Sequence, residues 1–563
     1  MTDTVQPQLE TAQSHVDEKL AQPQLEELLL AQKATDGEHN MGLIQAVKTY
    51  PKAVAWSMAI SFAVVMEGFD VILLSSFYAY PSFVKRFGVL APNGTYQIPA
   101  HWQVALGNSA GVGGIIGLIV SCLYFYSKLT LQLNGFIAER IGYKKTMIGG
   151  LVYMLGVIFL FFFAKNLEML LAAEILCGIP WGIFQTLTTS YASEVVPVAL
   201  RGYLTTWVNA CWGIGQLISL AMLRGLLQRD DDWGWRIPYA LQWFWPIPLL
   251  VIAFLAPESP WWLTRKGRLE DARRSLERLT SPNQHADLDA VVAMMHHTVQ
   301  LERETTAGAT YLDCFRGVNL RRTELTCMSW LVQSYCGSAF MGYSTYFLQQ
   351  AGLSTSTSFT FSMVQYAINT FGVFIAWFIM AAGVGRRSLY LYGCVWMFCV
   401  LIIIGGVSTI HSNGASWAVG IMLLIWSVAY QFTVGTVCYS LVTEFASRHL
   451  AIKTISLGRG MYCVAGIVNG SFMPYMLNPT AWNWGGKTAF FWAGFCLICI
   501  VWIYFRLPEP QGYTYAEISY QFEHHVSARK FHKVKPNLFE NNEAMAAAAM
   551  EKDVAEVQHI DRV

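Results

Sequence analysis

VAWSMAISFAVVMEGFDVILLSSFYAY, residues 54–80, is apolar over the length of a membrane crossing yet carries two acids, Glu67 and Asp70. About 20 apolar residues in a helix span the roughly 30 Å hydrocarbon core of a bilayer, so the stretch reads as a transmembrane helix. A carboxylate at that depth costs roughly 3 kcal/mol or more, and it is retained where it faces a watery cavity, a partner or a proton path. At i and i+3 the two side chains leave one face of the helix. Two carboxyls that close do not both ionise freely, so the pair reads as a site that takes up and releases a proton. The plainer alternative is a buried pair held by hydrogen bonds for packing alone.

Composition agrees with a membrane protein. The chain has 563 residues, 54% hydrophobic and only 13% charged, against about 25% charged in soluble domains. Aromatics make up 14%, including 20 Trp, as expected of rings that belt both membrane interfaces. A net charge of +1 argues against nucleic acid as a partner. The 12 Cys, among them Cys394, Cys399, Cys496 and Cys499, lie mostly in apolar runs without metal-ligand spacing or a disulfide framework. They read as reduced, helix-packing thiols. No nucleophile–base pair, metal cluster or cofactor motif is visible, so an enzyme is not expected.

Working outward from 54–80, apolar windows fall at 103–133, 146–164, 169–192, 204–226 and 238–256, then at 327–350, 361–382, 387–409, 416–442, 454–476 and 487–507. That predicts an all-α membrane protein of twelve transmembrane helices. The expected organisation is a polar N-terminal tail (1–50), a six-helix bundle (51–256), a charged linker with short amphipathic helices (257–326), a second six-helix bundle (327–507) and a C-terminal tail (508–563). Basic residues recur in alternate loops: Arg140, Lys144 and Lys145, then Arg201, then Arg386 and Arg387, then Arg448 and Lys453. Positive charge marks cytoplasmic loops, which puts the linker and both termini in the cytoplasm. Asn93-Gly94-Thr95 in the first external loop is then a glycosylation acceptor on the correct side.

The two halves repeat. Ser193-Glu194 through Arg201 matches Thr443-Glu444 through Lys453 at an offset of 444 − 194 = 250. Pro257-Glu258-Ser259-Pro260 matches Pro508-Glu509-Pro510 at 509 − 258 = 251, and Gly142-Tyr143-Lys144-Lys145 matches Gly385-Arg386-Arg387 at 385 − 142 = 243. Near-equal offsets indicate a duplicated six-helix unit, a design of many secondary transporters.

PESPWWLTRKGR (257–268), LPEPQGYTYAEI (507–518) and YASEVVPVALRG (191–202) resemble signatures of the sugar porters of the major facilitator superfamily. MEGFDVILLSSFYAYP (66–81), LCGIPWGIFQTLTTSYASE (176–194) and NPTAWNWGGKTAFFWAG (478–494) are similar to fungal α-glucoside permeases, the maltose and general α-glucoside proton symporters. The resemblance covers about residues 45–530. It implies the major facilitator fold, with two six-helix halves joined by a cytoplasmic middle loop.

It also implies roles for residues. Glu139, Arg140, Glu194, Arg201, Glu258, Glu444 and Arg448 are expected to form charge-assisted pairs across cytoplasmic helix ends, a lock that opens during alternating access. The second-half copy Gly383-Val384-Gly385-Arg386-Arg387 lacks the acid usual in that motif. Sugar hydroxyls need hydrogen-bonding groups, and a pyranose face needs aromatic rings. Gln333, Ser334 and Tyr335 on helix seven, Tyr439 on helix ten and Tyr462 on helix eleven are the candidates, with Gln185, Gln216 and Gln242 in the first half. Lone amides on apolar helices also serve as hydrogen-bonding glue between helices. Ala339 stands where many hexose porters carry Asn.

For proton coupling the resemblance points to Glu67, Asp70 and Arg459, an intramembrane Arg that needs an acid partner. Hexose–proton symporters place an Arg on helix four, where this chain offers Glu174; α-glucoside permeases add an acid on helix two, where it has Gly114. Coupling is therefore expected to rest on Glu67 and Asp70 alone. One segment is foreign to the family: VSCLYFYSKLTLQ (120–132), inside an apolar run from Val104 to Ala138 whose only charge is Lys128. Val-Ser can be encoded by GTAAGT, Leu-Thr can contain CTAAC and Gln can be CAG, so the segment reads as a translated retained intron or, alternatively, as a genuine extension of helix two.

The expectation is a monomeric plasma-membrane protein, partnered by the lipid bilayer, that imports an α-glucoside such as maltose or trehalose with a proton and needs no cofactor. The alternatives are a hexose or other sugar transporter of the same fold, and a sugar sensor that signals without transport, for which residues 508–563 make a short tail.

Overall fold

The computed structural model describes residues 30, 33, 41, 43–90, 94–123, 141–281, 287–306, 311–381, 384–410, 412–446, 450–511 and 515–533. Among these residues the architecture is helical, apart from an antiparallel pairing of Val89–Leu90 with Tyr96–Gln97. Twelve long helices follow in chain order. They are α1 (Pro51–Phe77), α2 (Ala100–Leu123), α3 (Tyr143–Phe162), α4 (Leu167–Glu194), α5 (Val198–Leu226) and α6 (Trp233–Leu255). The rest are α7 (Gly317–Tyr335), α8 (Thr355–Ala381), α9 (Arg386–Val407), α10 (Asn413–Val442), α11 (Ala451–Leu477) and α12 (Gly485–Arg506).

Seven of these, α1, α3, α4, α6, α9, α10 and α12, are by themselves long and apolar enough to cross a bilayer. Of the other five, α5, α7 and α11 carry basic residues such as Arg224, Arg322 and Arg459 within their helices. Local chemistry sets the helix starts. Asn166 caps α4 by accepting the Met169 N–H at 3.1 Å, Ser412 caps α10 through the Ala415 N–H at 3.1 Å, and Pro51 opens α1.

The seventh span departs from expectation. It starts at Gly317 rather than 327 and does not run unbroken to 350: α7 ends at Tyr335, and short helices Ala339–Gly342 and Ser344–Gln350 follow. Gly337 makes the break, with φ of +104°, a conformation costly for any residue with a Cβ. Its Cα packs toward Leu401 and Trp426. The charged linker forms the surface helices Pro260–Arg265, Leu269–Leu279 and Leu288–Thr306, joined by a small apolar core of Leu276, Val291, Val292, Met294 and Met295.

The chain forms two compact units. The first comprises Met1–Gly308, Met341–Thr370 and Ile467–Gly485. Within it α1 packs on α5, α2 on α4, and α3 on both α4 and α6. Glycines make the two tightest crossings. A Cβ on Gly68 would strike the Trp212 carbonyl oxygen, and one on Gly215 the Val65 carbonyl oxygen, so α1 and α5 meet backbone to backbone. Gly113 meets Ile175 and Gly178 meets Ala110 in the same way, closing α2 onto α4. Small residues are the means by which membrane helices gain packing that lipid does not already supply. The second unit comprises Ala309–Phe340, Phe371–Gly466 and Gly486–Val563. There α9 packs on α10 and α12, repeating the pairing of α3 with α4 and α6.

Candidate functional site

The glycine crossing of α1 and α5 lies between the two acids, because Gly68 separates Glu67 from Asp70. Backbone contact at Gly68 fixes the rotation of α1 and so the direction of both carboxyls. Glu67 is half-buried and accepts a hydrogen bond from Gln185 Nε2 on α4 at 2.8 Å. Asp70 is 1% exposed and accepts one from Gln242 Nε2 on α6. Two of the three first-half amides expected to meet sugar therefore also hold the acids. The third, Gln216, is buried on α5 beside Gly215.

The first unit contains three polar residues that the sequence reading did not place in the site. Glu174 on α4 is 1% exposed, and its Oε1 has no hydrogen-bond partner among the described residues. Gln365 and Asn369 on α8 are buried, and none of their four amide atoms has a partner among the described residues. An unsatisfied buried amide costs about 1–3 kcal/mol, which makes this pair a candidate for ligand hydroxyls. Its sequence signal was the i, i+4 spacing of two amides on one face of an apolar helix.

In the second unit, Trp330 on α7 gathers three of the predicted residues. Tyr439 meets it edge-on at 5.0 Å between ring centres and Tyr462 lies at 5.1 Å. The Arg459 guanidinium sits over both the Trp330 and Tyr462 rings, at 5.1 and 5.0 Å. Trp330 was missed, although it lies one turn before Gln333. Gln333 donates to the Gly435 carbonyl at 3.1 Å, inside a π-helical turn, Gln431–Gly435, that interrupts α10; such turns recur at functional sites. Ser334 is buried. Tyr335 is not part of the Trp330 group; it stacks on Phe495 of α12 at 5.3 Å.

The helix ends that carry the repeated motifs show the repeat in atoms. In the first unit the Glu258 carboxylate accepts the N–H groups of Tyr143 at 2.9 Å and Lys144 at 3.3 Å, at the start of α3. In the second, Glu509 accepts those of Arg386 at 2.9 Å and Arg387 at 3.1 Å, at the start of α9. A carboxylate on a helix N-terminus satisfies free N–H groups and complements the helix dipole. Glu194 binds Arg265 at 2.7 Å, the Tyr143 hydroxyl at 3.0 Å and the Ser259 hydroxyl. Glu444 pairs with Arg386 at 3.2 Å. Burial holds the carboxyls of Glu258 and Glu444 above the usual glutamate value, against the lowering effect of the N–H donors and of Arg386 respectively. Asn93, Glu139, Arg140, Arg448 and residues 124–132 of the foreign segment lie outside the described residues, as does the Arg201 side chain.

Comparison with known proteins gives this arrangement a family. Residues 56–522 match the model of the sugar (and other) transporter family, and the chain belongs to that family, a membrane transporter of the twelve-helix major facilitator fold. The maltose permease MAL61 of Saccharomyces cerevisiae is 40% identical over 533 residues, covering 93% of this chain and 84% of the permease. The general alpha-glucoside permease of the same yeast is 39% identical over 507 residues, 89% of this chain and 80% of that protein. Among solved structures, the inward-open xylose transporter XylE from E. coli superposes with a TM-score of 0.64 at 17% identity, covering 83% of this chain and 99% of XylE. That likeness concerns the fold.

Proposed function

We propose that this protein imports α-glucosides, disaccharides of the maltose and trehalose type, across the plasma membrane together with a proton. It works by alternating access between two six-helix halves, with both termini in the cytoplasm. The observation that carries the reading is its 39–40% identity, over nine-tenths of its length, to yeast permeases for maltose and other alpha-glucosides. The buried acids of α1 supply what proton coupling needs: Asp70, enclosed and hydrogen-bonded by Gln242, and Glu67, held by Gln185. Arg459 is the cation of the coupling machinery. Gln216, Gln333, Ser334, Tyr335, Tyr439 and Tyr462, with Trp330, Gln365 and Asn369, offer amides and rings to a glycoside. Glu194, Glu258 and Glu444, with Arg265 and Arg386, close the cytoplasmic ends.

Cargo is tested by uptake of labelled maltose into yeast lacking its own sugar transporters and expressing this chain, with trehalose, sucrose and glucose as competitors. The reading expects competition from α-glucosides and little from glucose. Strong competition by glucose would make it a hexose transporter, and sugar binding without uptake would make it a sensor.

A further inference from the structure

Glu174 is enclosed within the first compact unit, in the first third of α4, at 1% exposure. No cation acts on it among the described residues; the charged group that does is Asp70. From α1 and its end, Glu67, Asp70 and Tyr78 face this neighbourhood; from α6 comes Tyr239, and from α4 itself Cys177. None of these carries positive charge. Carboxyl oxygens on both helices, Glu174 Oε1 and Asp70 Oδ2, have no hydrogen-bond donor among the described residues. An enclosed carboxyl with no cation beside it is stable when it holds a proton.

The helix geometry explains why the acid stands on α4. Glu174 and Gly178 are i and i+4, on one face. Gly178 is where α4 presses its backbone onto Ala110 and Gly114 of α2. Gly114 lies in this contact, and the carboxyl stands one turn away on the opposing helix.

We propose that Glu174 is a proton-binding residue of the transport cycle, a third carboxyl of the coupling site beside Glu67 and Asp70. The inference rests on the proton-symport reading above. Protonated, Glu174 is neutral and fits the closed interior; on release of the proton, its charge in that interior favours the state that admits water. Proton arrival and departure thereby bias the two access states.

The test uses the full chain in transporter-null yeast, with E174Q, E174D and wild type compared at equal surface abundance. Maltose-induced proton uptake is measured across external pH, and maltose counterflow, which needs no proton gradient, is measured in parallel. E174Q is expected to keep counterflow while losing proton-driven accumulation and its pH dependence, and E174D to restore both. E174Q with wild-type proton uptake and pH profile would overturn the proposal alone. Loss of counterflow in both variants would overturn it in favour of a packing role. Maltose transport by the wild type without proton uptake would overturn the symport reading and this inference with it.

Discussion

Asp70 depends on Gln242. In a buried interior, the amide is the donor that makes a carboxyl at that position tolerable. Gln242→Leu keeps the bulk and removes the donor. A hydrogen bond of this kind contributes about 1–3 kcal/mol, so proton-driven maltose uptake should fall roughly 5- to 150-fold with the pH profile displaced. Uptake and pH profile unchanged in Q242L would remove Gln242 from the coupling machinery. At the start of α3, burial raises the Glu258 carboxyl above its ordinary value of 4.5. The folded protein therefore holds that proton more tightly than the unfolded chain. The stabilisation this contributes is complete below the unfolded value and is lost as pH rises through the folded one. Glu258→Gln is neutral throughout, so its melting temperature in detergent should fall less between about pH 5 and 8 than that of wild type. Parallel melting curves for the two proteins would contradict the assignment.

At the scale of elements, glycine contacts aim the site. Gly68→Ala sets a methyl against the Trp212 backbone, which cannot give way without moving α5. Overpacking of this kind costs about 1–3 kcal/mol, and the displaced α1 should carry Glu67 and Asp70 out of reach of Gln185 and Gln242. Gly114→Ala meets only the Gly178 carbonyl oxygen at 3.7 Å, an ordinary contact, and should be tolerated. Thermal melts and maltose uptake of the two variants check the contrast; equal behaviour would deny the crossing its role. The helices themselves were largely legible in the sequence: the window 169–192 became Leu167–Glu194, because capping and hydropathy are local. The break in α7 was not, since Gly337 owes its setting to Leu401 and Trp426, far along the chain. Nor was the partnership of Gln185 with Glu67, which spans 118 residues. Glu194, Glu444 and Arg386 stood out by their repetition, but their pairing, of Glu194 with Arg265 and of Glu444 with Arg386, emerged only in the fold.

For the whole molecule, duplication is the organising fact. The offsets read from the sequence reappear as two carboxylates, Glu258 and Glu509, each seated on the N-terminus of the third helix of its own repeat. The halves diverge in what they bring to the membrane interior. The first repeat supplies enclosed carboxyls and the glutamines that hold two of them; the second supplies Trp330, Tyr439 and Tyr462 around Arg459. A half rich in acids and an aromatic half suit the proposed coupling of a proton to a sugar. The most direct test of that coupling is the pH of a lightly buffered suspension of transporter-null yeast expressing the chain, recorded as maltose is added. The account predicts prompt alkalinisation that Asp70→Asn abolishes while the variant still reaches the plasma membrane. Maltose entry with no proton uptake, or alkalinisation undiminished in D70N, would contradict it.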